Sequence, residues 1–337
     1  MKDASEEDAG YRTAAVGGML GRVLGGKVSV EPASVVVAWV VMALIFGFLN
    51  GKFWSGENFL AIGEGSAPLA LASLGECVIL ICGQFDLSVG GAIGLGGVVF
   101  VELSNAGIPT WGAALLAMVI VGGGLGLVNG FATEVLGINA LITTLATLEI
   151  AQAVSDILSN SLSVAANHST VSALNTAIVA TIPGYIWLIV ALFAVSAFVL
   201  SRTVVGRRLY VVGSNSFAAR IAGLRTKRLT VGAFVVCAMA AVVGGIVEAS
   251  LLGAGDPSAG GSSVTLLAIA AVVLGGGSLA GGRGGMGGTL MGVFLLGTLT
   301  DGLAITFVPS FYDGLVTGGV LLLAVGASVV GKRGTRA

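Results

Sequence analysis

Gly83-Gln-Phe-Asp-Leu-Ser-Val-Gly-Gly91 and Gly253-Ala-Gly-Asp-Pro-Ser-Ala-Gly-Gly261 share the pattern G-x-x-D-x-S-x-G-G. The matching positions recur at an offset of 170 residues, about half of this 337-residue chain. Each copy follows an apolar stretch long enough to cross a bilayer, where an acidic residue is costly unless it serves a pathway. The repeat therefore predicts a transporter built from two related halves.

The composition indicates a membrane protein. Hydrophobic residues make up 55% of the chain and charged residues 10%, and the mean hydropathy is +1.02. That leaves too few polar side chains to cover a soluble surface of this size. The net charge of −1 argues against nucleic-acid binding, which needs a basic face.

Apolar segments and positive charges predict the topology. Lys and Arg are concentrated before the first apolar segment, in loop 202–228 and at the C-terminus, and the positive-inside rule makes these regions cytoplasmic. Ten segments have the length that crosses a bilayer: 33–50, 58–82, 88–104, 112–130, 138–158, 185–201, 229–253, 264–280, 287–305 and 313–331. Because six segments precede the basic loop and four follow it, both chain ends return to the cytoplasm.

The predicted fold is an all-α polytopic membrane protein of about ten transmembrane helices in a 5+5 inverted repeat, with cytoplasmic N- and C-termini. The two motif copies lie five spans apart, so they face opposite sides of the membrane, and paired Gly-interrupted segments of this kind point to a translocation path. The predicted parts are a cytoplasmic tail 1–32, a transmembrane domain 33–331 with halves 33–158 and 185–331, a cytoplasmic loop 202–228 and a tail 332–337.

Polar residues within the spans are the candidates for a pathway or gate. Asn139, Thr143 and Thr147 recur at i, i+4 and i+8, which predicts a polar stripe suited to a hydroxyl-rich solute. Interhelical hydrogen bonding is the alternative for the stripe, and helix capping with close glycine packing is the alternative for the repeated motif. The candidates are Asp86, Ser88, Gly90, Asn129, Asn139, Thr143, Thr147, Asp256, Ser258 and Asp301.

The residues do not favour an enzyme. His168 is the chain's one histidine, so arrangements that need a Ser-His pair or several His ligands are missing, and no cofactor or metal is expected. The stretch 326–333 imitates a phosphate-binding loop, but Arg333 stands where a hydroxyl should bind magnesium. Carboxylates in or near the spans leave proton coupling open: Glu64, Glu76, Glu149, Asp156 and Glu248.

Loop 202–228 contains the most structured soluble segment. Residues 216–222 read as a short helix stopped by Gly223, with Phe217, Ile221 and Leu224 on one side. An amphipathic helix of this kind suits either lipid headgroups or a cytoplasmic partner.

From about Phe59 to Leu323 the chain resembles the permease subunits of ribose/xylose-type sugar ABC importers. The resemblance rests on several motifs in the same order: 83–91, 141–147, 206–215, 218–220 with Gly223, 268–276 and 281–284. It implies a ten-helix permease of the bacterial inner membrane that pairs with a second copy or a related permease. It also implies two cytoplasmic ABC ATPase subunits and an extracellular or periplasmic sugar-binding protein as partners.

The resemblance also assigns roles to residues. It implies that segment 206–223 contacts the ATPase through Gly206, Arg207, Arg208, Gly213, Asn215, Phe217, Arg220, Ile221 and Gly223. Gln84-Phe85 stands where many members have Gly-Ile, and Asp301 stands where many have Asn. The expected function is import of a monosaccharide or polyol; an ion-coupled secondary transporter and an ABC permease for a branched-chain amino acid are the alternatives.

Overall fold

Helices dominate the computed structural model, which describes residues 30–176, 178–179, 182–312 and 314–319. The α-helices are α1 Val30–Leu49, α2 Gly56–Ile81, α3 Val89–Asn105, α4 Thr110–Ala117, α5 Gly124–Glu134, α6 Ala140–Ser159, α7 Ala173–Thr176, α8 Gly184–Arg202, α9 Val204–Ser214, α10 Ser216–Ile221, α11 Thr226–Leu252, α12 Gly261–Leu274 and α13 Met286–Ile305. A π-helical segment, Met118–Gly123, joins α4 to α5. Single 3₁₀ segments cover Gly51–Trp54, Ser169–Ser172 and Ser310–Tyr312.

Four two-residue strands lie in the connections between helices. Strand β1 Val164–Ala165 pairs antiparallel with β4 Ala254–Gly255, and β2 Ile178–Val179 pairs with β3 Ile182–Pro183. The first pair ties the connection after α6 to the second motif copy.

The all-α polytopic class is confirmed. Six helical segments among the described residues are long and apolar enough to cross a membrane: Gly56–Ile81, Thr110–Glu134, Ala140–Ser159, Gly184–Arg202, Thr226–Leu252 and Met286–Ile305. Three shorter apolar helices accompany them, Ser34–Leu49, Val89–Asn105 and Gly261–Leu274. Each of the first nine predicted spans overlaps one of these segments, whereas most of the tenth, 313–331, lies outside the described residues, as do the predicted tail 332–337 and most of 1–32.

One predicted boundary differs clearly from the structure. The span expected over 264–280 ends early, because α12 stops at Leu274. Gly276, Gly281 and Gly282 follow with φ of +90°, +82° and +70°, a left-handed backbone that ends a helix and that glycine adopts without strain.

Helix α11 lies at the centre of the bundle and packs on α2, α3 and α5. Glycines of the π-helical segment and of α5 allow a close approach to α11. A Cβ added to Gly122 would lie 2.7 Å from Met239 Cα, and one added to Gly130 would lie 2.8 Å from Val231 Cα. Small residues at these positions therefore let the helix backbones touch, as is common where lipid supplies no hydrophobic driving force between helices.

Candidate functional site

The first motif copy forms a buried turn between α2 and α3. The backbone N–H and the hydroxyl of Ser88 both donate to Asp86 Oδ1, at 2.9 and 2.5 Å. Both side chains are fully buried. The short polar side chains therefore shape the turn that precedes α3, although the Ser88 side chain does not cap that helix.

Asn129 of α5 connects this turn to α6. Its amide Nδ2 donates to Ser88 Oγ at 2.8 Å and lies 3.3 Å from Asp86 Oδ1, while its Oδ1 accepts from the Thr147 hydroxyl at 2.7 Å. The result is a hydrogen-bond chain from Thr147 through Asn129 and Ser88 to Asp86. These four candidates from the sequence thus form one buried network. It is called the Asp86 network below and consists of Asp86, Ser88, Asn129 and Thr147.

The predicted stripe on α6 is divided. Thr143 and Thr147 are buried on the helix, but Asn139 is exposed and precedes the first turn, where its side chain accepts from Leu141 N at 2.9 Å. Its ψ of 131° is not helical, so the helix begins at Ala140. The i, i+4, i+8 spacing assumed a helix that already includes Asn139, which therefore caps α6.

Two buried carboxyl groups retain unused hydrogen-bonding capacity. Asp86 Oδ2 and both carboxyl oxygens of Glu76 have no hydrogen-bond partner among the described residues, and Glu76 is fully buried on α2. An ionised carboxylate in such surroundings would be costly. The sequence analysis listed Glu76 as one of five carboxylates in or near the spans. No feature of the sequence indicated that Glu76, and not one of the other four, would be fully buried.

The second motif copy repeats the turn in a more open setting. The backbone N–H and hydroxyl of Ser258 both donate to Asp256 Oδ1, each at 2.8 Å. Ser258 is exposed and Asp256 is half-buried. Gln152 of α6 donates to Pro257 O at 2.9 Å, which holds this loop against the same helix that carries Thr147.

The backbone conformation at the first glycine of each motif copy also supports the repeat. Gly83 and Gly253, the first glycine of each copy, have φ of +84° and +65° and end the helix before the motif. In both copies a left-handed glycine is followed by the same Asp-Ser turn and then by a short apolar helix. Local conformation therefore repeats from the first glycine to the Asp-Ser turn but not beyond it, because α3 already begins at Val89 whereas Gly260 still has φ of +87°.

Asn129 and Asp301 each precede a glycine near the end of a predicted span, at an offset of 172 residues, but Asp301 does not take an equivalent position. It accepts a hydrogen bond from Asn58 Nδ2 at 3.0 Å, near the start of α2. Asn58 also donates to Phe53 O at 3.2 Å. Asn129 thus completes the first motif copy, whereas the bond that Asp301 makes joins α13 to the first turn of α2.

The two copies meet at the first turns of α3 and α12. The backbone N–H of Gly90 donates to Thr265 Oγ1 at 2.9 Å, and that hydroxyl lies 3.3 Å from Leu87 O. A Cβ added to Gly90 would collide with the carbonyl of Gly261, and one added to Gly260 would collide with the carbonyl of Gly90. Nothing in the sequence singled out Thr265, because a threonine in an apolar helix carries no distinctive signal.

The second copy also runs along α3. A Cβ added to Gly94 would lie 2.6 Å from Pro257 O, and one added to Gly255 would lie 2.8 Å from Gly97 O. Loop 253–260 therefore passes beside α3 before α12 begins.

Helices α9 and α10 occupy the predicted coupling loop. A Cβ on Gly206 would collide with the carbonyls at the end of α8, and one on Gly213 would collide with the carbonyl of Ile81. Tyr210 Oη donates to Gly284 O at 2.9 Å, and burial raises the pKa of Tyr210, which keeps the hydroxyl a donor. These contacts fasten α9 to the membrane domain.

Helix α10 presents apolar side chains outward. Asn215 caps it by accepting from Ala218 N at 2.9 Å, and Gly223 follows it with φ of +81°, as predicted. Phe217 and Ile221 are 68% and 74% exposed. Leu224, expected on the same side, instead packs against the core.

Exposed basic side chains lie on α10 and on the preceding helix α9. Arg207, Arg208 and Arg220 are all exposed. Phe217, Ile221 and these three arginines are called the α10 surface below. A surface with apolar anchors in a basic rim can bind another macromolecule.

Comparison with known proteins shows that this chain is similar to transport proteins. A model of the family described as "Branched-chain amino acid transport system / permease component" matches residues 58–325. The L-arabinose ABC transporter permease protein of Azospirillum brasilense is 36% identical over 296 residues, which cover 88% of this chain and 87% of that protein. No solved structure matches the chain significantly.

Two Escherichia coli K12 proteins show similar relationships. The ribose import permease protein is 30% identical over 294 residues, covering 86% of this chain and 91% of that protein. The D-allose transport system permease protein is 31% identical over 288 residues, covering 85% of this chain and 87% of that protein. The matches thus extend over most of each chain.

Proposed function

The chain belongs to the family of branched-chain amino acid transport system permease components, and we propose that it is the sugar-translocating permease of an ATP-binding-cassette importer. It is a multi-pass protein of the bacterial inner membrane and a transport component rather than an enzyme. The observation that carries the proposal is the similarity, over most of the chain, to permeases named for arabinose, ribose and allose.

The proposed solute is a monosaccharide or polyol. The more open second copy offers neutral or acceptor groups from the loop and from α6, including the Ser258 hydroxyl, Asp256 and Gln152. Hydroxyl-rich solutes can bond to such groups without a counter-charge, whereas a zwitterionic amino acid would need both charges matched. This favours a sugar over the amino acid in the family's description.

The proposed mechanism uses the two motif copies as opposed gates of a 5+5 inverted repeat with cytoplasmic termini. Asn129 bonds to the Asp-Ser turn of the first copy, whereas Gln152 bonds to the second copy through the Pro257 carbonyl and leaves its Asp-Ser turn more open. The repeated Asp-Ser turn gives both copies the same local chemistry, so each is suited to alternate between a closed and an open arrangement. The contact between Gly90 and Gly261 would serve as the pivot because both backbones touch there.

Energy would come from separate cytoplasmic ATPase subunits that bind the α10 surface. Helix α9 is fastened to the membrane domain through Tyr210 and Gly213, so a force applied to α10 would be transmitted to the end of α2, beside the first motif copy. A binding protein would deliver the sugar from outside, and a second permease copy or paralogue would complete the pore.

Reconstitution tests the proposal. The full-length chain should be placed in lipid vesicles with its ATPase and binding protein, and uptake of radiolabelled arabinose, ribose, allose and leucine should be measured. We expect ATP-dependent accumulation of at least one of the sugars and none of leucine. Accumulation by the chain alone under an ion gradient would establish the secondary transporter, and uptake of leucine only would establish the amino-acid permease.

A further inference from the structure

A cavity of about 830 Å³ opens between the end of α3, the start of α4, α8 and α11. Most of its wall is apolar, with Phe100, Ile108, Leu115, Met118, Val243 and Ile246 among the lining residues. No residue of the Asp86 network, of either motif copy or of the α10 surface lines it. Its volume falls within the range of about 300–1,000 Å³ that is usual for small-molecule sites.

The few polar groups of the cavity lie at the ends of its helices. They are Ser104, Thr110 and His168. Ser104 is 2% exposed, and its hydroxyl has no hydrogen-bond partner among the described residues. That oxygen is enclosed by protein atoms and cannot reach a bound molecule, whereas His168 is exposed and can.

The cavity lies across a membrane boundary. Helix α3 ends at Asn105 and α4 begins at Thr110, so the polar groups mark the level where membrane helices meet water. Trp111, 76% exposed, lies at the same level, where tryptophan is enriched in membrane proteins. The apolar wall formed by Leu115 and Met118 extends from there toward the hydrocarbon.

This gradient of polarity matches a membrane lipid and excludes the proposed solute. A sugar would leave most of its hydroxyls without partners against an apolar wall. A phospholipid carries polar ester groups at the membrane boundary and apolar acyl chains below it, in the same order as Thr110 and Leu115. Phospholipid is also the surrounding solvent at this depth, so it reaches the opening without crossing water.

We propose that this cavity binds one acyl chain of a membrane phospholipid, with the polar ester end of the lipid beside Thr110 and His168. The bound chain fills the space between α3 and α4 on one side and α8 and α11 on the other. Because α3 begins at the first motif copy, the lipid supports one of the helices that carry the proposed gate.

Photolabelling in membranes tests the site. The full-length chain is reconstituted in vesicles containing a phosphatidylethanolamine with a diazirine in the middle of one acyl chain, then irradiated and mapped by mass spectrometry. We expect saturable labelling at Phe100, a buried lining residue, and at Val243 that excess unlabelled phosphatidylethanolamine prevents. Labelling at Val195, an exposed residue of α8, should instead rise in proportion to the probe.

Two alanine substitutions provide the matched comparison. Ala114→Phe fills the cavity from α4, and Ala194→Phe adds the same ring to an exposed position of α8. Ala114→Phe should lower labelling at Val243 about tenfold, which corresponds to about 1.4 kcal/mol of binding free energy, while Ala194→Phe should leave it unchanged. Equal, unsaturable labelling at all three mapped positions would overturn the proposal.

Native mass spectrometry of the unsubstituted chain keeps the test independent of how the variants fold. After delipidation, we expect one phosphatidylethanolamine to remain on the chain. Retention of none would overturn the proposal. Cross-links that place residues 1–29, residues 320–337 or a second copy of the chain in the cavity would also overturn it.

Discussion

Gly90 and Thr265 join the two halves of the repeat by one hydrogen bond, from the Gly90 backbone N–H to the Thr265 hydroxyl at 2.9 Å. The amide belongs to the first turn of an α-helix, where backbone N–H groups have no partner within the helix. Thr265, on the other short helix that follows a motif copy, supplies that partner. Because a side chain on Gly90 would collide with Gly261, this junction requires both the glycine and the threonine.

Substitution at this junction should destabilise the folded chain. Gly90→Ala places a methyl group against the Gly261 carbonyl, and overpacking of this kind costs about 1–3 kcal/mol. Gly232→Ala is the matched control, because a Cβ at that α11 position meets no atom within 4 Å. The melting temperature in detergent should fall for Gly90→Ala and not for Gly232→Ala; equal melting temperatures would contradict the proposed junction.

Thr265 can be tested by removing only its hydroxyl. Thr265→Val keeps the side-chain shape but leaves the Gly90 N–H buried without an acceptor, at a cost of about 1–3 kcal/mol. Thr265→Ser retains the acceptor and should be closer to the unsubstituted chain in thermal unfolding. A Thr265→Ser variant as unstable as Thr265→Val would show that the methyl group, rather than the hydrogen bond, matters.

The Asp86 network predicts a contrast between two threonines of α6. Thr147→Val removes the donor to Asn129 Oδ1, so the folded state should lose about 1–3 kcal/mol. Thr143 is also buried, but its hydroxyl has no partner among the described residues, so Thr143→Val should leave the melting temperature nearly unchanged.

Measuring sugar uptake distinguishes solute contact from packing as the role of Thr143. If Thr143 faces the solute, Thr143→Val should lower uptake while the amount of inserted protein stays the same. Normal uptake by Thr143→Val in vesicles that contain the ATPase would limit this residue to packing.

The sequence predicted the helices and the repeated motif well because both depend on local composition. Long apolar runs specify membrane helices wherever they occur, and Gly83 and Gly253 mark the helix ends by the backbone conformation they permit. Side-chain partners depend on tertiary structure. The similar dipeptides that begin with Asn129 and Asp301 suggested equivalent positions, yet only Asn129 reaches a motif copy.

The exact ends of helices were also difficult to predict from the sequence. The polar stripe was expected to include Asn139, but α6 starts one residue later, so this side chain caps the helix. Thr265 was missed because its role depends on α3, which lies far away in sequence and contacts it only in the folded chain.

Accessibility labelling tests the predicted inversion. The native residues Cys77, Cys82 and Cys237 are buried, so a cysteine introduced at Gln84 or at Ser258 should dominate labelling by a maleimide that does not cross membranes. Gln84→Cys should react from the cytoplasmic face and Ser258→Cys from the outer face. Reaction of both from one face would refute the inverted repeat, whatever the transported solute.

The α10 surface provides the last prediction, which concerns energy coupling. Phe217 and Ile221 are mostly exposed although they are apolar, and exposed apolar anchors within a basic rim are typical of a docking surface. Phe217→Asp places a charge where an apolar contact is expected, and Arg220→Glu reverses a rim charge. Both variants should insert normally, because neither side chain packs in the core, but both should lose ATP-dependent uptake and co-purification of the ATPase. Arg202→Glu, at the exposed end of α8 and off the α10 surface, is the matched control and should retain both activities. If the ATPase still co-purifies with Phe217→Asp and with Arg220→Glu at the normal ratio, it must bind elsewhere, and the charged α10 surface would then have to serve a different partner, such as anionic lipid headgroups.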